Sequence, residues 1–420
     1  MNAVNHEYRA AYPLKRLTFN ILKYTIKAYL KGRKTMKKEE RVLNIINRKP
    51  VDYLPSQITF SDRLRHDEIS KAMNLPPEME LEEYLQNHIH LSFTTYDMPL
   101  FFSNDLKTME ELQQKGFVGI DYEKEIVYDM FGTSVEMNTD GVWFSCGLLE
   151  KNEDFYESQT KYLPKSIDRA ILDMDFEDAI KNYQPPDPYC IEAYEYMQQD
   201  FDKYSGDLLV IPSAFNGVYE KAYCLIGFEK LMLLSAEDPV ILGELLEKVA
   251  DYRAREAEMK IKLGAKIGHV SDDLGTQISS LFSPAMFKDI FLPHLKKIFD
   301  VYKNAGLPMV LHSCGKITEY LPSLIDAGLD VWEPVQPCND LEFIKREYGK
   351  DLIFWGGIDT QRLPWMKPDE VREMTRNTIR ILGKGGGYII APSQDIMKDI
   401  PIPNIVAMLE VIFEERERAM

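Results

Sequence analysis

A chain of 420 residues with 45% hydrophobic and 28% charged side chains is an ordinary globular composition, with material for one large domain or two smaller ones. Its formal net charge of -17 argues against a general nucleic-acid binder, because phosphate contacts need clustered Lys and Arg, and it weighs against a polyanionic substrate. Five scattered cysteines without a CxxC pair, and no secretory signal or membrane-spanning run, lead to the expectation of a cytoplasmic protein without a disulfide framework.

The first 34 residues carry eight Lys or Arg against the single acid Glu7, a local charge of +7 that leaves -24 for the rest. Phe19, Leu22, Ile26 and Tyr29 recur at helical spacing, with Lys23, Lys27 and Lys31 on another face. The pattern predicts a basic helical extension over 1–36 and a main domain over 37–420. Such a helix suits a membrane surface or a partner, or packs on the main fold, and Met36 also reads as a natural start. Residues 37–55 predict a helix with Val42, Ile45 and Ile46 on one side, a Pro stop and a short strand. A helix, an apolar stretch and the loop Tyr96-Asp97-Met98-Pro99 follow. From Phe117 to Leu149, alternation between turn signals predicts antiparallel hairpins, an excursion on the main fold. The Pro-rich run from Tyr183 to Pro188 marks a boundary.

Beyond it, short apolar runs alternate with amphipathic helical stretches. The runs are Leu208–Pro212, Lys266–Val270, Pro308–Leu311, Leu329–Val335, Leu352–Trp355 and Gly387–Ala391. The helical stretches include Pro284–Ala305 and Pro368–Gly383. This rhythm means βα units on a parallel sheet. With one or two runs before residue 100, the economical closure is an α/β fold of the (β/α)8 TIM-barrel type. A doubly wound sheet is the alternative, but no GxGxxG follows the first strand, and Gly385-Gly386-Gly387 precedes a strand instead.

A barrel places chemistry at the C-terminal ends of its strands, and polar residues cluster there. They are Asp272 and Asp273, His312 and Cys314, Glu333 and Gln336, Gly356-Gly357-Ile358-Asp359, and Ser393-Gln394-Asp395. In an extended strand, residues two apart share a side, so His312 and Cys314 aim an imidazole and a thiol at one spot. Nitrogen with sulfur suits zinc, although a buried Cys beside a satisfied His is the commoner use of such a pair. Only one of the adjacent Asp272 and Asp273 can face the mouth; the other caps a loop or helix. Asp359 serves equally as a turn residue, and Cys338 fits an inert Pro-Cys-Asn turn. Glu333, between Trp332 and Pro334, needs a cation or a hydrogen-bond donor.

The stretches LHSCGKITEYLPSLIDAGLDVWEPVQP, FWGGIDTQRLP and GGGYIIAPSQDIMKDIPIPNIVAM resemble the uroporphyrinogen decarboxylase-like superfamily, and within it the cobamide-dependent methyltransferases. The resemblance runs from about Lys38 to the C-terminus and implies a single (β/α)8 barrel. The decarboxylase branch implies an Arg-rich N-terminal segment that grips its acidic tetrapyrrole. Ser56 to Arg63 here lacks the paired Arg and the Gly-Arg-Tyr texture. The methyltransferase branch implies zinc held by His-x-Cys, matched by His312 and Cys314, and by a third ligand on the last strand. Where a Cys is typical there, this chain reads Ala391-Pro392-Ser393-Gln394-Asp395. Glu333, Cys338 and Asp273 are the replacement candidates, with Glu333 first because its strand neighbours that of His312; the Ser393 region is a further one.

The resemblance therefore implies a zinc-dependent methyltransferase that moves a methyl group from a small methoxylated or similar substrate to a corrinoid (cobalamin) carried by a partner protein. A methylcobamide:thiol methyltransferase and a tetrapyrrole decarboxylase are the alternatives. Asp273 or Asp272 would donate a proton or orient the substrate, with Glu333 beside them. Gln336 and Asp359 would contact it, and Trp332, Trp355 and Tyr96 would hold a ring unless they pack the core.

Overall fold

The computed structural model describes residues 36–61, 66–139 and 144–415. Apart from Met36, the predicted basic extension lies outside the described residues. β1 (Ile89–Ser92) is the first regular strand. Next comes a four-stranded antiparallel sheet in the order β2 (Gly119–Asp121), β3 (Ile126–Tyr128), β4 (Thr133–Glu136) and β5 (Phe144–Gly147). It occupies the stretch where alternating residues predict hairpins. β6 (Leu209–Pro212) pairs in parallel with β1.

The remaining apolar runs become β7 (Gly268–Ser271), β8 (Met309–His312), β9 (Val331–Val335), β10 (Ile353–Ile358) and β11 (Tyr388–Pro392). These form a five-stranded parallel sheet ordered β11-β10-β9-β8-β7. Their near-continuous apolar character follows from burial on both faces, with helices outside. The parallel strands thus pair as separate sheets of two and five, not as one continuous eight-stranded sheet. A few backbone hydrogen bonds join the pieces. Gln57 N–H donates to Ile390 O of β11 (2.9 Å), and His88 N–H donates to Ser56 O (3.2 Å). At the far side, Ser271 N–H of β7 donates to Ala214 O just past β6 (2.8 Å).

Some of the helices start on a cap that the local sequence provides. α1 (Lys38–Ile46) buries Val42, Ile45 and Ile46, and α2 (Tyr219–Ile226) follows β6. α3 (Pro239–Lys262) has Pro at its first position, and the Asp238 carboxylate accepts from Ile241 N–H. α4 (Pro368–Gly383) opens on Pro, with Glu370 accepting from Lys367 N–H at 2.7 Å. Gly356 lies where β10 presses on β9: a Cβ there would sit 2.8 Å from Val335 N, and φ is +118°. Its bareness serves the packing of the two strands.

α3 also carries ions into the interior. The Arg253 guanidinium meets Asp97 at 3.1 Å and Glu256 at 2.9 Å, and it donates to the carbonyls of Phe215 and Asn216. Lys260 Nζ meets Glu256 at 3.1 Å and Ser213 O at 2.7 Å. These buried charges are mutually paired, and they pin the 213–216 loop above β6 to α3. Arg253→Met would strand the Asp97 carboxylate and is expected to cost about 3–5 kcal/mol of stability, seen as a lower urea midpoint at unchanged slope.

Candidate metal centre

Parallel register builds the site. Ser271 of β7 stands opposite His312 of β8, and His312 stands opposite Glu333 of β9. Three adjacent strands therefore end in one row of polar side chains. His312 Nδ1 is 2.6 Å from Glu333 Oε2, a short charge-assisted hydrogen bond. The other nitrogen, Nε2, faces Cys314 Sγ at 3.8 Å and Asp273 Oδ1 at 3.6 Å. Asp273 Oδ1 also accepts from Cys314 N–H at 2.7 Å. The two loops touch because Gly315 has no side chain: a Cβ there would lie 2.1 Å from Gly275 O, and φ is +83°.

Two groupings of donor atoms result, each within 4.8 Å: Asp273, His312 and Cys314, and His269, His312 and Glu333. They differ in fit. Tetrahedral bonds of about 2.0–2.3 Å put co-ligands about 3.3–3.8 Å apart. The contacts at Nε2 match that spacing, whereas 2.6 Å between Nδ1 and Glu333 is a hydrogen bond and is too short for two ligands of one ion. Nitrogen, sulfur and oxygen on the Nε2 side form a donor set suited to zinc, with Glu333 holding the imidazole from behind.

Electrostatics agree with this division. Burial opposes a charged imidazole, yet the Glu333 carboxylate and the hydrogen bonds to Cys314 and Glu333 hold the His312 pKa well above its ordinary value. Burial, and then the Asp273 charge, push the Cys314 thiol up to about 12. A divalent cation reverses both preferences, since it favours thiolate and neutral imidazole.

The other expected residues fall in several places. Asp272 is fully buried and turned away: its carboxylate accepts from the N–H groups of Val218 (2.9 Å), Tyr219 (3.2 Å) and Glu220 (2.8 Å) at the start of α2. Burial still lifts its pKa to about 6 against those hydrogen bonds, with the Asp273 charge adding to the rise. Gln336 ties loops together, accepting from Gly315 N–H (2.9 Å) and Gln277 Nε2 (2.6 Å) and donating to Ser393 O (3.0 Å). Asp359 closes a turn by accepting from Gln361 and Arg362 N–H. Trp332 is wholly enclosed with its indole on Ser313 O at 3.1 Å, and Trp355 is core. Tyr96 donates to Asp187 O (3.2 Å) and lines a separate cavity of about 870 Å³. Cys338 neighbours Asn339 and belongs to neither donor grouping. Ser393 Oγ is engaged with Thr360 at 3.2 Å.

Two residues, Glu220 and His269, stand at the site without having been singled out in the sequence, and a third, Gln394, figured there only as one of the polar residues after the last strand. Glu220, at the start of α2, is buried beside Ser271 Oγ (3.2 Å); burial and the Asp273 and Asp272 charges raise its pKa well above the ordinary carboxyl range. Its signal was a carboxylate in a helix that otherwise packs. His269 is 1% exposed, and neither ring nitrogen has a hydrogen-bond partner among the described residues. Its signal was an imidazole inside an all-buried strand. Gln394 Oε1 lies 3.5 Å from Cys314 Sγ, and no spacing along the chain announces that contact. Cys314 and Gln394 open together on a cavity of about 410 Å³ with Trp365, 86% exposed, at its rim.

A profile of the family described as uroporphyrinogen decarboxylase (URO-D) matches residues 159–414, which include every residue of this cluster. The chain belongs to the URO-D family. Relatives of this URO-D member follow two chemistries. A uroporphyrinogen decarboxylase of Carboxydothermus hydrogenoformans is 28% identical over 240 residues, 54% of this chain and 63% of that one. A methylcobamide:CoM methyltransferase of Methanosarcina mazei is 25% identical over 310 residues, covering 73% and 84%. The chain spans between about half and two thirds of the length of the first decarboxylases it matches. Its fold is shared with a solved methyltransferase from Methanosarcina mazei, at a TM-score of 0.57 and 16% identity over 90% of this chain and 99% of that one. Among the described residues, no helix is long and apolar enough to cross a membrane.

The neighbouring aspartates are separable by experiment. Asp272→Ala leaves three N–H groups without their acceptor and should cost about 1–3 kcal/mol in denaturant unfolding, with metal content unchanged. Asp273→Ala should do the reverse, lowering metal content with little effect on stability.

Proposed function

We propose that this URO-D member is a zinc-dependent methyltransferase that moves a methyl group between a small methoxylated or similar compound and a corrinoid protein. The observation that carries it is the convergence of His312 Nε2, Cys314 Sγ and Asp273 Oδ1 at the ends of β7 and β8, beside a cavity that Cys314 itself lines. Those three side chains would hold the zinc, and Glu333 would fix the tautomer of His312 rather than ligate. Bound there, zinc supplies a Lewis acid for a substrate oxygen, and the corrinoid on its partner protein supplies the cobalt that exchanges the methyl group. Similarity to a methylcobamide:CoM methyltransferase along 84% of that chain supports the corrinoid partner.

The chain's own residues do the rest. Asp273 orients Cys314 through its N–H, and Gln336 keeps the loops after β7, β8 and β11 at one height. Glu220, buried beside Ser271 and with its pKa raised by that burial and by the neighbouring carboxylates, is the residue we assign to hold the proton that a departing oxygen needs. The framework we infer is a (β/α)8 barrel over 37–420. Residues 55–57, β1, β6 and β7 to β11 would be its eight staves, and the backbone hydrogen bonds of Gln57, His88 and Ser271 support the joins. Decarboxylation of an acidic tetrapyrrole is less well served: the described lining of the cavity at Cys314 contains Gln277, Gln336, Gln361, Gln394 and Asp399 but neither Lys nor Arg.

Metal analysis and a spectrophotometric assay test this reading together. The purified protein should carry about one zinc per chain, lost in His312→Ala and Cys314→Ala. It should consume cob(I)alamin absorbance with a methoxyarene, in a panel that also includes methylamines and methylthiols. Metal-free protein that releases carbon dioxide from uroporphyrinogen would overturn the proposal.

A further inference from the structure

We propose that the side-chain amide oxygen of Gln394 is a further, exchangeable ligand of the metal centre and marks the position that a substrate oxygen takes. The inference rests on the zinc reading above and adds a donor to it. β11 lies at the opposite edge of the five-stranded sheet from β7, three places from β8, yet the loop after β11 brings Gln394 Oε1 to 3.5 Å from Cys314 Sγ. Cys314 Sγ is then flanked by Gln394 Oε1 at 3.5 Å and His312 Nε2 at 3.8 Å, and Nε2 by Asp273 Oδ1 at 3.6 Å. These are separations that donors sharing one ion adopt, about 3.3–3.8 Å.

Without an ion, the same contact is a weak S–H···O bond to an exposed side chain. Such a bond does little against the rotamer entropy of a glutamine, about 1.5–2 kcal/mol. The backbone, by contrast, is well placed to present the amide. Ser393 N–H donates to Ile358 O at 2.7 Å, Ser393 O accepts from Gln336 Nε2 at 3.0 Å, and Ser393 Oγ pairs with Thr360. Residue 394 is therefore aimed by a neighbour fixed on three sides. Of the four donors, the amide oxygen is hard, neutral and weakly basic, a poorer partner for zinc than thiolate, imidazole or carboxylate, so it yields first to another oxygen. It also lines the 410 Å³ cavity with Cys314, on the side from which a substrate arrives.

Co2+ serves as the probe, since thiolate ligation gives a near-ultraviolet charge-transfer band and the visible bands report the number and kind of ligands. The wild-type protein loaded with Co2+ alone should show the thiolate band. Gln394→Ala should keep that band, change the visible bands and weaken Co2+ binding about tenfold. Gln394→Glu, which restores an oxygen donor, should recover the affinity. Residue 394 is exposed, so neither change threatens folding. Identical visible bands and affinity in wild type and Gln394→Ala would overturn this inference while leaving the zinc centre standing. A wild-type protein with no thiolate band would overturn the zinc centre, and the inference with it.

Discussion

The hydrogen bond between His312 Nδ1 and Glu333 Oε2 is the contact on which the candidate site depends. An imidazole has two nitrogens, and whichever is occupied by a carboxylate decides what the other can do. With Glu333 on Nδ1, the free face of the ring is Nε2, where Cys314 and Asp273 already stand. The contact is a consequence of register: His312 is opposite Glu333 because β8 and β9 pair in parallel at that offset. A slip of one residue would turn either side chain to the other face of the sheet and separate the pair.

Around that contact, the interior polar groups divide by whether they are satisfied. Arg253, Lys260, Asp97 and Glu256 compensate one another and hold the loop that carries Phe215, whose ring lies 5.3 Å from that of His312. Asp272 is saturated by three N–H donors and so belongs to the scaffold. Cys314, Asp273 and Gln394 instead lie partly open and keep donor capacity for something else. Saturated groups specify a structure; groups left with capacity can bind.

Much of this was legible from local pattern. The apolar runs became strands within a few residues of their predicted bounds, and Pro368–Gly383 is a helix over that span. The pairing of His312 with Cys314 followed from the two-residue period of an extended chain. The competition between Asp272 and Asp273 for the mouth followed from the same period, but which one faces it did not, because the N–H groups that capture Asp272 belong to a helix more than fifty residues earlier. Ranking Glu333 first as a ligand used strand adjacency correctly; adjacency could not say that the carboxylate meets Nδ1 instead of the face shared with Cys314. The ring-holding role expected of Trp332 and Tyr96 ran into the opposite difficulty, since aromatic residues near strand ends pack the core as readily as they line a site: Trp332 is enclosed, and Tyr96 lines a cavity separate from the one at Cys314.

By itself, the sequence determined the alternation of strands and helices, the level at which polar residues gather, and the imidazole–thiol pair, because each depends on neighbours within a few residues. Tertiary structure alone decided which nitrogen of His312 is free, which aspartate is spent, and that Gln394 arrives at Cys314. Those outcomes depend on cross-strand register and on the curl of a sheet that brings distant loops together, and no window along the chain contains both partners.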